Sequence, residues 1–106
     1  MLDADRIYAQ LSEAGEAWAD ADAAASLLEE TRKSVLAKLM LEASVTSAAA
    51  KEMVALADES YTKHVEGMVS ARKAAHKARV RYDCARVLAE MRRSEESTRR
   101  AEMNLR

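Results

Sequence analysis

From Ile7 onward, apolar residues recur in alternating steps of four and three. They run Ile7, Leu11, Ala14, Trp18, Ala21, Ala25 and Leu28, then Val35 and Leu39 beyond the charged Arg32. A seam of that period is the mark of an amphipathic α-helix. It predicts a helix over residues 3–43, with Asp3 or Asp5 as its cap at the positive end of the helix dipole. The rhythm lapses at Ser44-Val45-Thr46-Ser47. Three hydroxyl residues in four favour a turn followed by an N-cap, so a turn is expected at 44–47. The period then resumes through Ala50, Met53, Ala57, Tyr61, His64, Met68, Ala71, Ala75, Ala78, Tyr82, Ala85 and Ala89.

This second seam predicts one long helix over 47–103, with no proline to stop it. At 1.5 Å per residue the two helices would measure roughly 60 and 85 Å. Folded back antiparallel, the first would reach only to about Glu90, leaving the last fifteen residues or so uncovered. The expectation is a single all-α domain over 1–106, a long coiled-coil-like helical hairpin. Gly67 offers two readings. Either a bulky neighbour such as Trp18 approaches it closely, or the helix breaks there and three helices result.

The seam of the second helix is small in its C-terminal half, at Ala71, Ala75, Ala78, Ala85 and Ala89, which suits close packing against Trp18, Leu11 and Ile7. A further apolar stripe lies on the same helix: Val65, Val69, Val80, Val87 and Met91, with Cys84 beside it. Leu27, Leu36 and Met40 form a similar stripe on the first helix. A helix with one neighbour needs one apolar stripe, so two stripes point to a second neighbour. The composition agrees. The chain has 23 alanines, no phenylalanine and two glycines, Gly15 and Gly67. So few large side chains make a thin core, and small scaffolds of that kind commonly oligomerise. A dimer forming a helical bundle would bury both stripes, with Val65, Val69, Val80, Val87 and Met91 as its interface.

Net charge is only −1, but it is unevenly spread. Residues 1–30 carry eight acids and one base, and residues 71–106 carry eleven bases and five acids. In an antiparallel hairpin these segments face and neutralise each other, which sets the pairing direction. Arg92, Arg93, Arg99, Arg100 and Arg106 fall beyond the first helix. Glu95 and Glu96 precede Arg99 and Arg100 by four residues, spacing that supports a free helix. Arginine forks also suit phosphate, which makes Arg92, Arg93, Arg99 and Arg100 the candidate contacts to a partner protein or a nucleic acid. The interleaved Glu95, Glu96 and Glu102, and the lack of an aromatic to stack on bases, make nucleic acid the less favoured partner.

Catalytic and metal-binding patterns are missing. His64 and His76 stand twelve residues apart and have no cysteine or carboxylate at metal spacing. His64 reads as a polar core residue, Cys84 as a packing residue, and Glu29-Glu30 as a solvated helix face. No phosphate-cradling glycine loop, nucleophile elbow or CxxC occurs. The expectation is therefore a non-enzyme with no cofactor and no metal. One cysteine, no apolar stretch near 18 residues and no visible targeting segment read as a cytoplasmic, non-membrane chain.

Two stretches carry a family likeness: Tyr61-Thr62-Lys63-His64-Val65-Glu66-Gly67-Met68, and the ending Ser97-Thr98-Arg99-Arg100-Ala101-Glu102-Met103. Over about residues 45–106 the chain resembles small uncharacterised all-helical proteins of tailed bacteriophages and prophages. That resemblance implies an accessory protein working in the bacterial host cell beside DNA recombination or replication enzymes, and it assigns no catalytic residue. The functional expectation is a helical interaction protein that self-associates, with a dimer favoured, and binds another protein. Direct nucleic-acid binding through the basic helix and a purely structural coiled-coil spacer are the alternatives.

Overall fold

The computed structural model describes residues 3–105. The chain is all-α, with four helices and no strand among the described residues: α1 (Ala4–Glu30), α2 (Arg32–Glu42), α3 (Ala48–Ala57) and α4 (Glu59–Leu105). They fall into two compact units, one of Met1–Asp20 with His76–Arg106 and the other of Ala21–Ala75. In both, α1 and α4 pair antiparallel, as in a helical hairpin.

In the first unit, Ile7 is 2% exposed and is the one large side chain fully buried among the described residues. Ala78 and Ala89 are buried with it. Trp18 meets Tyr82 with ring centroids 5.3 Å apart, tilted by 37°, a separation at which aromatic pairs attract beyond their buried area. The Arg79 guanidinium sits 5.7 Å from the Trp18 ring, within cation–π range. Gly15 lies under Tyr82, where an added Cβ would come within 3.4 Å of Tyr82 Cε1. The close approach to an aromatic ring therefore belongs to Gly15. Gly67 does not meet Trp18 or any other group, because a Cβ built there has nothing within 4 Å.

In the second unit α2 packs on α3, and Ala25, Ala55 and Ala75 are buried. Its pairing is fixed by polar groups more than by large apolar ones. Arg72 donates from Nε and Nη2 to the two carboxylate oxygens of Glu29 at 3.1 and 2.6 Å, and from Nη1 to Asp22 Oδ1 at 2.6 Å. Nη2 also reaches Ser26 Oγ at 3.4 Å. Such a two-pronged grip fixes both register and direction. The hydrogen bonds it donates to Glu29 and then Asp22 hold the guanidinium above even its usual high pKa. Glu29 is thus a clamp on α4 and not only a solvated carboxylate. His64 Nε2 donates to the Leu28 carbonyl at 2.8 Å, the polar tie of a half-buried histidine.

Two interruptions differ from the long helices that the seams predict. The first is at Thr31, between α1 and α2. Its hydroxyl donates to the carbonyls of Leu27 at 2.8 Å and Leu28 at 3.2 Å. The backbone ladder still runs through the residue, from Thr31 N to the Leu27 carbonyl and from Val35 N to the Thr31 carbonyl, both at 3.0 Å, so the interruption is a local one of the kind hydroxyl back-bonding introduces. The second is at Asp58, and not at Gly67, which lies inside α4. Asp58 ends α3 with extended backbone, φ −68° and ψ 138°. Its Oδ1 then accepts from Ser60 N at 2.7 Å, so one residue closes α3 and caps α4. Between α2 and α3 the chain turns, and Ser47 caps α3 by accepting from Ala50 N at 3.1 Å.

Candidate interaction surface on the C-terminal helix

The residues singled out for partner contact lie on the part of α4 that belongs to the first unit, except Val65 and Val69. Helical spacing sorts this stretch into two faces about 150° apart, at 100° per residue. Ala78, Tyr82, Ala85 and Ala89 form the inner face, buried or half-buried. Val80, Cys84, Val87 and Met91 form the outer one. Val80 is 60% exposed, Val87 47% and Met91 58%, and Cys84 is an exposed free thiol. The seam of α4 is committed to α1, so α1 cannot cover the outer stripe.

Leu88 stands between the two faces and helps shape a shallow, mostly apolar groove of about 400 Å³ with Val80, Asp83, Cys84, Val87 and Met91. A second groove of about 850 Å³ opens on the other side of Leu88 and Met91, between Ile7 and Arg92, Glu95, Thr98 and Arg99. Val65 and Val69 belong to the second unit, where Val65 is half-buried and Val69 is 65% exposed. Within the first unit Val80, Val87 and Met91 share a surface, and Cys84 joins them.

The arginines also separate. The Arg92 side chain is only 13% exposed, with Glu95 3.7 Å from Nη1 and Glu96 3.6 Å from Nη2. Its Nε and Nη1 are buried without a hydrogen-bond partner. It therefore lines the groove beside Ile7 instead of projecting from an uncovered tail. Arg93, Arg99 and Arg100 are exposed, and from residue 93 to 105 every residue but Glu96 is exposed. Asp83 is the charged residue in the lining of the apolar groove, and no sequence motif singled it out.

Among the described residues no group of three or more His, Cys, Asp or Glu side chains could hold a metal ion. None of the described helices is long and apolar enough to cross a membrane. No protein family, no curated protein and no solved structure matches this chain.

Proposed function

We propose that this chain is a non-enzymatic helical interaction protein that self-associates through the outer face of α4 and binds another protein with its arginine-bearing C-terminal segment. One observation carries the reading: Val80, Cys84, Val87 and Met91 form an exposed apolar stripe on the side of α4 that faces away from α1. Contiguous exposed apolar surface of this kind marks an interaction site. The thin core of the chain, with Ile7 as its one large buried side chain among the described residues, gives self-association a stabilising role as well. The exposed Arg93, Arg99 and Arg100 supply the second contact. The likeness of residues 45–106 to phage and prophage helical proteins is what suggests the setting, an accessory role beside DNA recombination or replication enzymes in a bacterial cytoplasm.

Light scattering across a concentration series tests the first half, and a monomer at every concentration would refute it. Crosslinking in host-cell extract tests the second. A partner protein joined to the wild-type chain should be lost on Arg93→Glu/Arg100→Glu, with helicity and oligomeric state unchanged. Equal recovery by both chains would remove the arginines from the contact.

The same exposed arginines favour a second reading, direct binding of nucleic acid. It requires an affinity that falls steeply between about 50 and 200 mM salt as counterions are released. Absence of any complex at low salt excludes it.

A further inference from the structure

We infer that the flank of α4 carrying Arg93 and Arg100 binds an acidic helix of the partner protein, one with carboxylates seven residues apart. The inference rests on the protein-binding reading above and gives that partner its chemistry.

Arginine recurs on α4 at intervals of seven, at Arg72, Arg79, Arg86, Arg93 and Arg100. The first three each follow a seam alanine by one residue, at Ala71, Ala78 and Ala85. The row therefore runs along one flank of the seam, where paired helices exchange charges. On α1 the matching positions, each one residue after the seam, are Tyr8, Gly15, Asp22 and Glu29. The second unit shows what an arginine of this row takes. Arg72 holds Asp22 and Glu29, two carboxylates of one helix seven residues apart, with closest approaches of 2.6 Å to each.

In the first unit α1 offers no such carboxylate, because its flank positions are Tyr8 and Gly15. Arg79 lies over Trp18 instead, and Arg86 turns to Glu90 of its own helix. Arg93 and Arg100 are exposed and, among the described residues, have no hydrogen bond or ion pair. Glu90, Glu95 and Glu96, which neighbour them along the chain, are engaged by Arg86 and Arg92. Glu102, two residues past Arg100, falls on the far side of the helix. Seven residues make nearly two turns, so Arg93 and Arg100 share a face with their Cα atoms about 10.5 Å apart. Carboxylates at the same interval on a second helix keep step with them. Phosphates of a nucleic-acid strand, at about 3.4 Å along the axis, keep no such register and would draw on any exposed lysine or arginine.

The test uses the full chain and two labelled helical peptides of identical composition. One carries two glutamates seven residues apart, the other the same two glutamates five apart, on different faces of its helix. Fluorescence anisotropy at about 20 mM salt, where exposed pairs are weakly screened, gives the affinities. The wild type should bind the first peptide about three- to tenfold more tightly than the second. Arg93→Gln/Arg100→Gln should erase that preference. Lys77→Gln/Arg81→Gln, which removes the same charge from the opposite flank, should keep it, with circular dichroism checking that both variants are folded. Equal binding of the two peptides, no binding of either, or loss of the preference in the Lys77→Gln/Arg81→Gln chain would overturn the acidic helix. A single-stranded oligonucleotide whose binding is lost on Arg93→Gln/Arg100→Gln, with no preference between the peptides, would overturn it in favour of nucleic acid. The protein-binding reading is judged apart, by the partner crosslinked in extract. If that partner is captured and then lost on Arg93→Glu/Arg100→Glu while the peptides fail, the reading stands without this chemistry.

Discussion

Replacing Gly67 with alanine tests how α4 is held together. Gly67 lies inside a 47-residue helix, has no positive φ, and a Cβ placed on it would touch nothing within 4 Å. Glycine in a helix interior costs about 0.8–1.0 kcal/mol relative to alanine, because its unfolded backbone has more freedom to lose. No steric term opposes the substitution here. Gly67→Ala should therefore stabilise the chain by about 0.8–1.0 kcal/mol, which for a chain near 100 residues raises the melting temperature by about 4–8 °C. Gly15→Ala provides the comparison. It has the same gain in propensity, and its new Cβ would meet Tyr82 at 3.4 Å, an ordinary van der Waals contact, so its effect should be at least as large. Thermal and urea unfolding followed by far-UV circular dichroism would measure both, with unchanged m-values confirming that stability alone has moved. A fall in melting temperature for Gly67→Ala would refute the reasoning, since it would require a neighbour or a backbone break at residue 67.

Further outcomes follow from the packing and the caps. Ile7→Ala removes the one large fully buried side chain among the described residues and should cost about 2–5 kcal/mol in chemical unfolding; a cost under 1 kcal/mol would mean Ile7 is not core. Asp58→Ala and Ser47→Ala each remove an N-cap acceptor and should each cost about 0.5–2 kcal/mol in the same assay. Arg72→Lys keeps the charge but cannot grip Glu29 with two prongs. Hydrogen exchange in residues 22–29 should quicken in that variant, and unaltered protection would show the clamp to be dispensable.

The sequence period was enough to assign the helical class and the pairing of an acidic first segment with a basic last one, because both are properties of many residues at once. Ala25, Ala75, Ala78 and Ala89 are buried where the four-three steps place them. The two interruptions escaped because each rests on a single side chain acting locally. Thr31 sits one place before the charged Arg32 that broke the seam, yet its hydroxyl bonds to Leu27 and Leu28 leave no trace in an apolar pattern. Asp58 followed by Glu59 is a readable cap signal, but the seam passes straight through it at Ala57 and Tyr61. Gly67 drew attention instead, because glycine is a breaker by propensity. Propensity is a weak prior that a continuous helix absorbs at the cost of about 1 kcal/mol.

The surface followed the same division. An extra apolar stripe was readable as a surplus of hydrophobic positions, with Cys84 beside it; Val69, Val80, Cys84, Val87 and Met91 are exposed and Val65 is half-buried. Arg92 shows the limit of counting charges along a helix: reach alone placed it in solvent, whereas it lines the groove beside Ile7 and its side chain is only 13% exposed, with Glu95 and Glu96 nearby. A long arginine side chain next to exposed apolar surface commonly lies down on it. The exposed arginines are Arg93, Arg99 and Arg100. On the function proposed above, the apolar and basic contacts are separate parts of one helix, so substitutions should abolish either while sparing the other.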